Sequence, residues 1–102
     1  MKALHVQRRA LRDMMDARAY YQHEAPHMGP EFARRLDEAL VHLQSHPGTG
    51  SPRYGLELGI TGLRSWAMSQ FPYVIFYRNL STRITVLRVL HQASQIPIHL
   101  QR

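Results

Sequence analysis

The apolar residues of this chain change their repeat once, and that change divides it into two differently folded parts. Up to Ser45 they recur three and four residues apart, the helical period. From Leu63 onward they stand in short runs rich in β-branched and aromatic residues, as strands do. Between the two lie Gly48, Gly50, Pro52, Gly55, Gly59 and Gly62, so residues 49–62 read as a loop. In the helical part, Ala10, Met14, Ala17 and Tyr21 mark one apolar stripe over residues 8–24, with Leu11 and Met15 widening it. Phe32, Leu36, Leu40 and Leu43 mark a second, beginning at Pro30 and Glu31 and ending at Ser45 before His46, Pro47 and Gly48. The break at residues 25–29 makes the pair an antiparallel helical hairpin.

Residues 63–69, 71–78 and 83–91 read as three strands, and the brief alternation Leu4-His5-Val6 as another at the start. The tail, residues 92–102, has no clear period. The expected fold class is α+β in the order β-α-α-β-β-β. A helical hairpin packs on one face of a mostly antiparallel sheet, in a single domain over residues 1–102. A sheet covered on one face leaves the other polar. By strict alternation Ile84, Val86, Arg88 and Leu90 share one face of the last strand, and Arg64, Trp66 and Met68 one face of the first strand of the meander. If Arg64 and Arg88 both look out from the open side, the domain carries a basic, partly apolar surface. The alternative for Arg88 is a half-buried arginine paired with an acid.

Charge sharpens that expectation. Thirteen Lys and Arg oppose seven Asp and Glu, a formal charge of +6, and twelve of the thirteen cations are arginine. Arginine suits bidentate contacts to carboxylate or phosphate, so the balance implies an acidic partner. There are no cysteines, which excludes a disulfide framework, zinc ribbons and thiol catalysis. No apolar run reaches the length of a membrane span and the start has no signal-peptide pattern, so a soluble, cytoplasmic protein is expected. His91 is the best acid/base candidate by type. His42 and His46 stand i, i+4, but no third ligand accompanies them and no metal or cofactor is expected. Trp66, Phe71, Tyr73 and Tyr77 could stack bases, although strand aromatics are more often core.

The whole pattern resembles a known family. Ala10-Leu11-Arg12-Asp13 and Tyr20-Tyr21 in the first helix, and Leu43 through Gly50 followed by Arg53, carry part of the resemblance. Gly62-Leu63-Arg64, Phe71-Pro72-Tyr73-Val74-Ile75-Phe76-Tyr77-Arg78 and Ile84-Thr85-Val86-Leu87-Arg88-Val89-Leu90-His91 carry the rest. In order and spacing these are similar to the ParE/RelE toxin superfamily, and above all to its ParE branch. The resemblance implies the toxin of a type II toxin–antitoxin module, used in plasmid stabilisation and neutralised by a small acidic antitoxin from the adjacent gene. ParE-like members poison DNA gyrase as protein-binding inhibitors, not as catalysts; RelE-like members cut mRNA on the ribosome. The first reading makes Arg64, Trp66, Arg88, His91 and Arg102 candidates for target binding, with residues 92–102 as the toxic segment. The second uses Arg64, Arg88 and His91 as ribonuclease groups, without the clustered lysines of RelE-like proteins: Lys2 is the only lysine. Ser94 and Gln95 stand where many ParE-like sequences have an arginine and an acid, so a third reading is a module that binds antitoxin but has lost toxicity.

Overall fold

A computed structural model describes residues 1–101. In chain order it contains β1 (Ala3–Val6), α1 (Arg8–Glu24), α2 (Met28–Ser45), α3 (Arg53–Leu58), β2 (Leu63–Ala67), β3 (Tyr73–Asn79), β4 (Arg83–His91) and α4 (Ile96–Gln101). The strands form one sheet in the order β1-β4-β3-β2. The β2–β3 and β3–β4 pairs are antiparallel, and β1 lies parallel to β4. The expected α+β architecture is therefore present, and α1 and α2 form the hairpin on one face.

That face is built by the stripes read from the sequence. Ala10 and Ala17 of α1 and Phe32, Leu36, Leu40 and Leu43 of α2 pack on Ile75 and Tyr77 of β3 and on Ile84, Val86 and Val89 of β4. Burying one such large side chain stabilises by roughly 1.5–3 kcal/mol. Tyr21, Phe32, Phe71 and Tyr73 close one end of the core, with ring centroids 4.9–6.3 Å apart. Leu11 and Met15 do not join the stripe: they are 50% and 63% exposed on the outer side of α1. The second helix starts at Met28, two residues before Pro30, because a first-turn residue needs no intrahelical N–H partner.

The second face is not open. Leu63, Phe76, Leu90 and Ile96 make a buried cluster there, with Tyr54, Ile60, Val74, Leu87 and Leu100 against it. Two six-residue helices provide the cover, α3 inside the glycine-punctuated segment and α4 in the tail. The tail helix accepts Pro97 because it falls in the first turn. α3 ends at Gly59, whose φ of +68° favours glycine, and the Ile60 N–H closes the turn on the Gly55 carbonyl.

Strict alternation fails in β4. Tyr77 pairs with Val86 but Phe76 pairs with Arg88, so Leu87 is an extra residue in a β-bulge. After it the faces are exchanged. Val89 joins the hairpin-side core with Ile84 and Val86, whereas Leu87 and Leu90 join the second cluster.

Candidate functional site

The bulge decides where the two candidate arginines go. Arg64 pairs with Tyr77 and Trp66 with Ile75, which places both on the hairpin side of β2. Arg88 pairs with Phe76 and emerges with Leu87 on the opposite side. The expected shared surface of Arg64 and Arg88 is therefore absent, and the cause is one residue inserted into the ladder.

Each arginine is also engaged within the fold. The Arg64 guanidinium donates to the carbonyls of Gly50 (2.7 Å) and Gly48 (3.3 Å), which fixes the loop after α2. Arg88 donates through Nε (2.7 Å) and Nη2 (3.0 Å) to the two carboxylate oxygens of Asp13 in α1. These side chains are only 16% and 15% exposed. Asp13 also accepts the Val89 N–H at 3.0 Å. The β1 ladder ends at Val86, so Asp13 takes over the edge of β4 where its strand partner stops. The Asp13 hydrogen bonds raise the Arg88 pKa, against the opposing effect of burial. The acid-paired alternative for Arg88 is the one the structure adopts.

Trp66 stacks on His42 (4.7 Å, 27°), and His42 on His46 (5.2 Å, 23°). The helical histidine spacing thus serves a ring stack, and no group of three metal-ligating side chains occurs among the described residues. Phe71 and Tyr77 are core residues, unavailable to bases. The Tyr77 hydroxyl donates to the Pro47 carbonyl (2.7 Å) and accepts the Gly50 N–H (3.0 Å). Burial raises its pKa; the Gly50 bond and Arg64 partly oppose that.

His91 ends β4 on the hairpin side, opposite Tyr73 and edge-on to its ring at 5.2 Å. Its Nδ1 accepts the Ala93 N–H at 3.0 Å, which leaves Nε2 to carry the proton in the neutral ring. The Ser94 N–H returns to the His91 carbonyl, and the His99 N–H bonds the Gln95 carbonyl at the start of α4. Arg102 lies outside the described residues. Arg64, Arg88 and His91 thus do not line one cavity. They lie opposite Tyr77, Phe76 and Tyr73 respectively, with Arg88 on the other side of the sheet.

A surface not singled out from the sequence is the outer side of α1. Arg8, Leu11, Arg12, Met15 and Asp16 line a shallow cavity of about 580 Å³ there. The signal for it was the width of the apolar stripe, since a helix facing one core has no use for Leu11 and Met15 beside Ala10 and Met14. Among the described residues, cations without an acid partner lie here as well, as Arg18, Arg78 and Arg83 do elsewhere. Arg34 and Arg35 are matched by Glu31 and Glu38, Arg53 by Glu57 and Arg88 by Asp13, while Arg8 and Arg12 have no acid partner among the described residues.

Comparison with known proteins agrees with this architecture. The family model described as the ParE toxin of the type II toxin–antitoxin system parDE matches residues 4–96. Toxin ParE1 of Caulobacter vibrioides is 31% identical over 101 residues, spanning 98% of this chain and 99% of that protein. A solved structure of the chromosomal ParDE system from P. aeruginosa superimposes with a TM-score of 0.73 at 21% identity, covering 89% of this chain and 96% of that one, a likeness of fold. A match along nearly the whole sequence, on a fold with the same helical hairpin and sheet, places the chain in the ParE toxin family of type II toxin–antitoxin systems.

Proposed function

We propose that this ParE-family toxin acts on DNA gyrase as a protein-binding inhibitor in the cytoplasm, and that an acidic antitoxin holds it inactive. The observation that favours an inhibitor over a nuclease is the engagement of its cations. Cutting RNA requires a base, an acid and positive charge gathered around one phosphate. Here Arg64 is bound to the Gly48 and Gly50 carbonyls and Arg88 to Asp13, on opposite sides of the sheet. The target-binding groups are then the remaining candidates, Trp66, His91 and the tail, with Arg64 and Arg88 holding the framework around them. The antitoxin is assigned to the outer side of α1. Exposed Leu11 and Met15, flanked by Arg8 and Arg12, suit an amphipathic segment with acidic residues on its margins.

The deciding experiment is a DNA supercoiling assay with purified gyrase and antitoxin-free protein. Inhibition with trapped, cleaved DNA is expected. Undisturbed supercoiling by folded protein, together with mRNA cleavage on ribosomes, would replace this reading with the endoribonuclease. Undisturbed supercoiling with no cleavage, and antitoxin binding retained, would establish a module that has lost toxicity.

A further inference from the structure

Two cavities lie side by side where α1 begins, and Arg9, Arg88 and His99 line both. One, about 340 Å³, is bordered by Arg8, Arg9, Arg12 and the Arg88–Asp13 pair. The other, about 210 Å³, is walled by Ile60, Leu63, Leu87 and Leu100 of the second cluster. Together they form a concave site with a cationic end and an apolar end, within the range of roughly 300–1,000 Å³ typical of small-molecule pockets.

We propose that this composite pocket binds a phosphate monoester carried on an apolar-faced body, the chemistry of a nucleoside 5′-phosphate. Arg8 and Arg12 take the phosphate and the Leu63–Leu87–Leu100 wall takes the nucleoside. The charges are complementary. The cationic end holds four arginines and one aspartate, a formal charge of +3, and a phosphate monoester brings about −1.5 to −2 at neutral pH. A single carboxylate or a backbone phosphodiester would offset only one of those positive charges, so the doubly charged monoester is favoured. Helix stability does not explain the arginines either. They stand at the positive end of α1, whose first turn has no acid, where the helix dipole disfavours cations. The planar forks of arginine are suited to phosphate oxygens. Arg8 and Arg12 also border the face assigned to the antitoxin, so a bound antitoxin and the phosphate compete for them, while the gyrase reading is not involved.

The test is calorimetric titration of the full chain with AMP, adenosine and short oligonucleotides bearing a 5′-phosphate or a 5′-hydroxyl. AMP is expected to bind and adenosine not to. The double variant R8Q/R12Q, which alters exposed side chains only, is expected to bind AMP at least about tenfold more weakly. R18Q/R53Q removes the same charge away from the pocket and is expected to bind as the parent does; thermal melts confirm that both variants are folded. Tighter binding of the 5′-phosphorylated oligonucleotide than of AMP identifies a strand end as the natural source, and the reverse identifies a free nucleotide. The proposal is overturned by absence of AMP binding at millimolar concentration or by equal binding of adenosine. Equal losses in the two double variants, or equal binding of the two oligonucleotides, would also overturn it, since either means general attraction of polyanions.

Discussion

The Tyr77 hydroxyl sits between two backbone groups of the loop that follows α2, donating to Pro47 and accepting from Gly50. Tyr77→Phe keeps the ring and leaves a half-buried carbonyl and a buried N–H without their partner. It is expected to cost about 1–2 kcal/mol, seen as a fall of roughly 5–10 °C in Tm. Gly50 belongs to the same contact: a Cβ there would run into the Tyr77 ring, so Gly50→Ala is disfavoured as well. The Arg88–Asp13 pair makes a sharper case. Arg88→Ala strands a largely buried carboxylate and is expected to cost about 2–4 kcal/mol by denaturant titration. Asp13→Ala strands the guanidinium and also releases the Val89 N–H. Because both substitutions break one interaction, the double variant should be less destabilised than the sum of the singles. Arginine in the middle of an apolar strand was visible in the sequence as an anomaly. Its partner was not, since Asp13 lies 75 residues away and reads as part of a solvated helix face.

At the scale of elements, long periodic segments were legible and short ones were not. The bounds expected for α1 and β4 coincide with those observed, because 17 and 9 residues of consistent pattern outweigh local noise. The six residues of α3 contain Gly55 and are flanked by proline and glycine, so local propensity argued for a loop. Packing of Tyr54 on Phe76, 5.4 Å between ring centroids, overrides it. The tail helix α4 has one apolar i, i+4 pair, Ile96 and Leu100, too little to show a period. That pair is what holds it: Ile96→Ser with Leu100→Ser is expected to release α4, raising amide exchange there while α1 and α2 keep their protection. The bulge had no sequence signal of its own, since no glycine or proline marks it within β4, yet it decided the faces of Arg88, Val89 and His91. On α1, Leu11→Glu with Met15→Glu places two like charges on the face assigned to an acidic antitoxin. Binding should weaken by more than about tenfold while gyrase inhibition persists, read by co-purification and the supercoiling assay.

For the whole molecule, burial raises the pKa values of three tyrosines, Tyr21, Tyr73 and Tyr77. Each is neutral when protonated, so the folded state favours the protonated form. The associated stability is fully present below the ordinary tyrosine value near 10 and is lost as pH rises through the higher folded-state values. Denaturation midpoints should therefore hold between about pH 7 and 9 and fall above about pH 10, less steeply in Tyr77→Phe. The parallel pairing of β1 with β4 has a different kind of consequence. Ala3 aligns with Arg83 across both long helices and two intervening strands, so the first strand to leave the ribosome waits for the last. A nascent chain holding only the hairpin and β1 has no sheet to pack against. The fold that the family uses to poison a cell therefore cannot be assembled piecemeal during synthesis, and the interval before β4 emerges is one in which a waiting antitoxin could meet the helices first.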